Sequence, residues 1–188
     1  MRVIAGKYRS RPLCSLRGLD LRPTADRLRE TLFNVLTAGN PDALAGSVWL
    51  DLYAGTGAVG IEAISRGAAM VYFIESSADA AGLVRKNLQS LGVEAGFDVL
   101  QQDVGRALGR LETREIAADF VFLDPPYRME AAYGKTLASL AHSKLLKPQT
   151  TVIAEHSKKF DPGQVFARLH RYRQLQQGDA VLSFYRLD

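Results

Sequence analysis

From Val48 onward, short apolar segments alternate with amphipathic ones, and this alternation constrains the fold more than any other feature of the chain. It predicts a mostly parallel β-sheet with helices on both faces, because each helix carries the chain back to start the next strand. The apolar segments predict strands at 48–53, 70–75, 98–102, 120–124 and 151–155. The amphipathic segments predict helices at 58–66, 78–91, 104–111 and 130–145.

The two ends of the chain carry different patterns. Segments 164–174 and 180–187 flank Gln177-Gly178-Asp179 and predict an antiparallel hairpin that closes the sheet. Near the start, residues 2–13 predict a small hairpin that turns at Gly6-Lys7, and an amphipathic helix follows from Pro23. We therefore expect an N-terminal arm and helix at 1–45, attached to one α/β domain with a seven-stranded sheet at 46–188.

Composition excludes several classes of protein. The one cysteine, Cys14, cannot form an internal disulfide or a Cys-rich zinc site. The three histidines lack metal-ligand spacing, so we expect no bound metal. No segment reaches the roughly 18 consecutive apolar residues of a membrane span, so we expect a cytoplasmic protein.

Basic residues are concentrated at the N-terminus. Residues 1–30 contain 8 Lys/Arg and 3 Asp/Glu, whereas residues 31–188 contain 16 and 17. A localised basic segment predicts a surface that binds nucleic-acid phosphates, with a solubilising tail as the alternative. The candidate phosphate ligands in this segment are Arg2, Lys7, Arg9, Arg11 and Arg17.

A glycine-rich loop follows the first predicted strand. Gly55, Gly57 and Gly60 match G-x-G-x-x-G, a pattern that lets backbone approach a ligand closely at the end of a strand. The pattern alone leaves a dinucleotide site, a nucleoside site and a structural turn open. The candidate cofactor-binding residues here are Asp51, Tyr53, Ala54, Gly55, Thr56 and Gly57.

Acidic residues end the next two predicted strands. Glu75 could accept hydrogen bonds from both hydroxyls of a ribose, and Asp51 could bind the amino group of an amino-acid moiety. Asp103 could contact an adenine amine or cap the following helix. The negative charge of the Asp51 carboxylate would repel a pyrophosphate and attract a cationic ligand.

The sequence Asp124-Pro125-Pro126-Tyr127 directly follows the apolar residues 120–123. The prolines impose a rigid, extended exit and leave carbonyl acceptors unpaired. Asp124 and the Pro125 carbonyl could accept hydrogen bonds from a planar exocyclic amine and orient its nitrogen. Tyr127 could stack on an extruded base.

Together, the glycine loop, Glu75 and the D-P-P-Y sequence resemble the Rossmann-like methyltransferases that use S-adenosylmethionine to modify amino groups. Residues 21–34, LRPTADRLRETLFN, are similar to the start of the bacterial 16S rRNA guanine-N2 methyltransferases that act on the small ribosomal subunit. The resemblance covers nearly the whole chain and is weak after Gln164. Many relatives have a second acidic or amide residue after the position of Glu75, whereas this chain has Ser76-Ser77 there.

This resemblance implies methyl transfer to the N2 amine of a guanine in 16S rRNA, by a monomer that acts on an assembling small subunit in ribosome biogenesis. It implies no metal. The implied catalytic residues are Asp124, Pro125, Pro126 and Tyr127; Ser76 and Val104 join the cofactor site, and Arg22 and Thr24 the RNA site. Adenine-N6 and glutamine-N5 methyltransferases remain alternatives, and an NAD-dependent oxidoreductase would leave D-P-P-Y and the basic arm unexplained.

Overall fold

The computed structural model describes residues 1–15, 23–126 and 128–188. The helices in these ranges are α1 (Pro23–Leu36), α2 (Ala58–Ser65), α3 (Ala78–Leu91), α4 (Val104–Thr113) and α5 (Glu130–His142). The strands are β1 (Val48–Leu52), β2 (Met70–Ile74), β3 (Phe97–Leu100), β4 (Ala118–Leu123), β5 (Leu146–Ser157), β6 (Val165–Phe166), β7 (Leu169–Gln177) and β8 (Ala180–Leu187).

These strands form one sheet in the order β3-β2-β1-β4-β5-β8-β7-β6. Neighbours from β3 to β5 are parallel, and β8 joins β5 antiparallel, followed by β7 and β6. The predicted Rossmann-like sheet with a C-terminal antiparallel hairpin is confirmed. The strand order reverses between β1 and β4, where an open α/β sheet leaves a crevice at its carboxyl edge.

Three predicted elements differ most from the structure, and the other predicted bounds agree to within about two residues. Segment 164–174 is not one strand: Ala167, with a φ of 51°, turns the chain between β6 and β7, so the sheet has eight strands rather than seven. The helix predicted at 130–145 ends at His142, because Ser143 takes an extended conformation. Strand β5 then starts at Leu146, which pairs with Ala118, well before the predicted start at residue 151.

Apolar side chains form a core on each face of the sheet. One face packs against α4 and α5, with Leu108 and Leu137 among its buried residues. The other packs against α1, α2 and α3, and includes Leu32 of α1 and Val3 of the N-terminal segment. No helix in the described ranges is long and apolar enough to cross a membrane.

The N-terminal segment turns back on itself and packs against α2. Arg2 pairs with Pro12 in an isolated antiparallel bridge, which supports the predicted hairpin. The Lys7 amide donates to the Ser65 carbonyl at 2.7 Å. A Cβ on Gly6 would lie 1.9 Å from that carbonyl oxygen, so glycine is required for the close approach. We call residues 1–15 the N-terminal hairpin.

Candidate active site

Two cavities open at the carboxyl edge of the sheet, and Tyr53 lines both. The larger, of about 440 Å³, lies between the ends of β2 and β3 and helices α4 and α5. The smaller, of about 250 Å³, lies between the glycine loop, α1 and the ends of β4 and β5. Tyr53 has a φ of 63°, a conformation that non-glycine residues adopt at some cost, and its hydroxyl lies 2.8 Å from Thr136 Oγ1.

The three glycines of the loop have different roles. A Cβ on Gly55 would meet nothing closer than the Tyr53 carbonyl at 3.9 Å, so Gly55 leaves space on the wall of the smaller cavity. A Cβ on Gly60 would lie 2.3 Å from the Phe73 ring, so Gly60 allows α2 to pack on the sheet. Gly57 has a φ of 76° and starts α2. Only Gly55 provides an open cradle for a ligand.

Asp51 is almost completely buried and holds the start of α2. The N-cap residue Gly57 has no side chain to cap the helix. Asp51 Oδ2 instead accepts a hydrogen bond from the Gly60 amide, in the first turn of α2, at 2.9 Å. Burial, with smaller contributions from Asp124 and Glu75, raises the pKa of Asp51 to about 8, against the effect of the Gly60 hydrogen bond. Asp51 also lines the smaller cavity, so a cationic amino group there would favour its ionised form.

Glu75 links the glycine loop to α3. Its two carboxylate oxygens accept hydrogen bonds from the Gly55 amide at 2.9 Å and the Ser77 amide at 2.8 Å. Each oxygen has a further lone pair, which leaves capacity for the two ribose hydroxyls. The carboxylate therefore both shapes the loop and remains a candidate ligand.

The larger cavity brings together several of the residues predicted to bind the cofactor, although Glu75 is not among those that line it. Ser76, Asp103 and Val104 line it, together with Gln102. Asp103 caps α4 by accepting from the Arg106 amide at 3.1 Å, and its exposed carboxylate is still at the cavity. Gln102 Nε2 is buried without a hydrogen-bond partner in the described part of the chain. Sequence reasoning missed this donor, which could bind a ring nitrogen of adenine.

Asp124 lies at the end of β4 and lines the smaller cavity, whereas Pro125 is buried and Pro126 is exposed. Burial raises the pKa of Asp124 to about 7. The Tyr133 hydroxyl donates to the Glu155 carbonyl at 2.7 Å and lies 3.5 Å from the Pro125 carbonyl. That longer contact leaves the Pro125 carbonyl with acceptor capacity for a ligand.

Two charged residues of the smaller cavity were not predicted. Glu155 lies in β5, and Arg29 lies in α1 with only 5% of its surface exposed. An acid at the end of a predicted strand was a usable signal for Glu155, the same signal that identified Glu75. Arg29 gave no such signal, because its position depends on how α1 packs across the sheet.

The basic residues of the N-terminal hairpin remain on the surface. Arg2, Lys7, Arg9 and Arg11 are all exposed, and Arg11 Nη2 donates to the Ser90 carbonyl at 3.1 Å. The hairpin that carries them is hydrogen-bonded to α2 and α3, so these residues do not belong to a loose tail. The remaining predictions, for Arg17, Arg22, Tyr127 and the side chain of Thr24, lie outside the described residues.

The lining of the smaller cavity includes Ala54 and Thr56, as predicted for the glycine loop. Met1 also lines it, and its sulfur lies 3.6 Å from Thr56 Oγ1. The start of the chain is thus part of the site. Tyr53 separates two neighbouring cavities of different character: a mostly apolar one near Gln102 and Asp103, and a charged one near Asp51 and Asp124.

Comparison with known proteins gives consistent results. Residues 1–186 match the family described as Conserved hypothetical protein 95. Ribosomal RNA small subunit methyltransferase D of Haemophilus influenzae is 36% identical over 159 residues, which is 84% of this chain and 79% of that protein. YlbH of Bacillus subtilis is 31% identical over 186 residues, 99% of this chain and 98% of that protein. The solved structure of Escherichia coli yhhF has a TM-score of 0.83 and 28% identity, covering 100% of this chain and 98% of that one.

Proposed function

Because the chain belongs to the Conserved hypothetical protein 95 family, with ribosomal RNA small subunit methyltransferase D among its relatives, we propose that it is an rRNA methyltransferase dependent on S-adenosylmethionine. We propose further that it modifies the exocyclic N2 amine of a guanine in 16S rRNA. The observation that carries this proposal is the position of Asp124. Its carboxylate lies on the wall of the same small cavity as Gly55 of the glycine loop.

The residues present fit S-adenosylmethionine. Gly55 leaves open space, and Gln102 Nε2 has no hydrogen-bond partner among the described residues; a bound nucleoside and its amino-acid end would explain both features. Glu75 would hold the ribose, the larger cavity the adenine, and Asp51 the amino group. When bound, S-adenosylmethionine supplies an electrophilic methyl group on a positively charged sulfur.

Asp124 and the Pro125 carbonyl are the acceptors proposed for the substrate amine. An exocyclic amine is a weak nucleophile because its lone pair is delocalised into the ring. Two acceptors bind the hydrogens of the amine and so orient the lone pair of its nitrogen. Positioning of this kind can supply much of a rate enhancement. The negative charge of Asp124 also stabilises the positive charge that develops on the nitrogen.

The exposed cations of the N-terminal hairpin are the proposed contact with the rRNA backbone. Arg2, Lys7 and Arg9 project from a segment that also supplies Met1 to the smaller cavity. Arg2, whose carbonyl accepts a hydrogen bond from Arg29 of this cavity, would hold a phosphate near it, whereas Lys7 and Arg9 would hold phosphates farther along the hairpin, toward the Ser65 end of α2. In this proposal residues 1–45 act as the RNA-binding extension of the methyltransferase domain.

The test is transfer of a labelled methyl group. The full-length protein is incubated with methyl-labelled S-adenosylmethionine and small ribosomal subunits from cells that lack it, and the products are treated with nuclease or with protease. We expect nuclease to release the label. Label that only protease releases would overturn the proposed substrate class.

A further inference from the structure

Glu155 stands next to Asp124 at the edge of the sheet. Leu123 of β4 pairs in parallel register with Ala154 of β5, so Asp124 and Glu155 occupy the next matched positions on neighbouring strands. Adjacent strands lie about 4.8 Å apart, and both side chains line the smaller cavity. The site therefore presents two carboxyl groups side by side, of which the proposed chemistry uses one.

Arg29 supplies a positive charge to the same cavity. Its Nη2 donates to the Arg2 carbonyl at 2.6 Å and to Asp26 Oδ1 at 3.1 Å. Its Nε is buried and has no hydrogen-bond partner among the residues that the structure describes. Burial and the nearby Asp124 raise the pKa of Glu155 well above its usual range, and the charge of Arg29 opposes that rise. Arg29 therefore offsets part of that rise without cancelling it, and a hydrogen-bond donor on a bound ligand would favour the ionised form of Glu155 further.

We propose that Glu155 recognises the N1–H of the substrate guanine while Asp124 binds the adjacent N2 amine. A base removed from its stack is read through the hydrogen-bonding groups of its Watson–Crick edge. Guanine presents two neighbouring donors there, N1–H and N2–H, which match two neighbouring carboxylate acceptors. Adenine presents a lone pair at N1 beside its amine, and that lone pair would face a carboxylate. This inference rests on the proposed function and identifies the residue that selects guanine.

The purine 2-aminopurine separates recognition of N1 from recognition of the amine, because it keeps the N2 amine but has a lone pair at N1. The methylated position in the rRNA is first mapped. Small subunits are then reconstituted with rRNA that carries either guanine or 2-aminopurine at that position, through a ligated synthetic segment. For each base, kcat/KM is measured with the wild type and with Glu155→Gln.

We expect the wild type to prefer guanine by about 10- to 100-fold, the usual effect of one hydrogen bond to a charged group. The Glu155→Gln preference should be at least about tenfold smaller, because the Gln amide can donate to the N1 lone pair. The comparison between variants cancels any difference in intrinsic reactivity between the two amines. Glu94→Gln, which removes an exposed carboxylate, should behave like the wild type.

Asp124→Asn provides a second control, since both bases carry the N2 amine: it should lower kcat/KM for both bases by similar factors. A wild type without preference for guanine would overturn the role of Glu155, as would a preference that Glu155→Gln leaves unchanged. A wild type that methylates neither base, with label transferred elsewhere, would overturn the proposed function itself. The two failures are therefore distinguishable.

Discussion

Replacing Glu62 with Gln should lower the free energy of unfolding by about 3 to 5 kcal/mol. Glu62 is fully buried in α2 and joins the N-terminal hairpin to the domain. Its carboxylate accepts hydrogen bonds from the amides of Ile4 at 2.7 Å and Ala5 at 3.0 Å, and from Arg66 Nε at 2.8 Å. Arg29 Nε lies 3.9 Å away.

The magnitude follows from which of these contacts Gln can keep. One hydrogen bond to a charged group contributes about 1.5 to 3 kcal/mol, and the Gln oxygen retains one or two of the three. The Gln amide nitrogen, however, must face an N–H donor, and the buried guanidinium of Arg29 and the partly buried one of Arg66 lose their shared counter-charge. Breaking a buried ion pair in this way costs about 3 to 5 kcal/mol. For a chain of 188 residues, this corresponds to a decrease in Tm of about 6 to 20 °C.

Urea denaturation of the wild type, Glu62→Gln and Glu94→Gln measures the effect. Glu94 is exposed, so its substitution should change the free energy of unfolding by no more than about 0.5 kcal/mol. Hydrogen exchange at the amides of Ile4 and Ala5 should become faster in Glu62→Gln alone. A loss below about 1 kcal/mol, with unchanged exchange at both amides, would refute the reasoning that this carboxylate anchors the hairpin.

Three further predictions concern binding and pH. Glu75→Ala should weaken binding of S-adenosylhomocysteine about tenfold or more by calorimetry, because ribose contacts and the amide contacts of the loop are both lost; unchanged affinity would contradict the role of Glu75. The pKa of Asp124 is about 7 in the folded protein and about 3.9 in the unfolded chain, so its contribution to stability is complete below pH 4 and is lost as the pH rises through 7. In the cofactor-free protein, Asp124→Asn should therefore reduce the loss of stability with rising pH. Thermal denaturation from pH 4 to 8 should show a difference of at most about 4 kcal/mol, and parallel curves would contradict it. Replacing Arg2, Lys7 or Arg9 with Ala should each lower the slope of log affinity for rRNA against log salt by about 0.7 to 0.9, and equal slopes would show that the hairpin does not contact phosphates.

The sequence predicts best those elements whose ends carry their own signals. Helix α3 has its predicted bounds because Ser77 caps its start and Gly92, with a φ of 71°, ends it. The turn between β6 and β7 was missed because Ala167, in a left-handed conformation, carries no glycine or proline signal. Strand β5 starts earlier than predicted because Leu146 pairs with Ala118, a contact that local sequence does not reveal.

In the candidate site too, some residues could be predicted from local sequence and others depend on how the chain folds. Glu75 and Asp124 could be identified because each directly follows an apolar strand, and the ends of parallel strands meet at one edge of a sheet. The hydrogen bond from the Gly60 amide to Asp51 could not be predicted, because the loop must fold before the two atoms meet. Arg29 was missed because helix periodicity places it beside Leu28 and Leu32 but does not show which strands they cover.

Identification of the methylated nucleoside shows whether the protein transfers a methyl group to N2 of guanine. Small-subunit rRNA from cells lacking the protein is treated with the purified protein and S-adenosylmethionine, digested to nucleosides and analysed by mass spectrometry, with Asp124→Asn in parallel. We expect the wild type to form N2-methylguanosine at one position, and Asp124→Asn to form it at a rate lower by at least about 100-fold. A methyl group on N6 of adenine, or undiminished N2-methylguanosine from Asp124→Asn, would contradict this expectation.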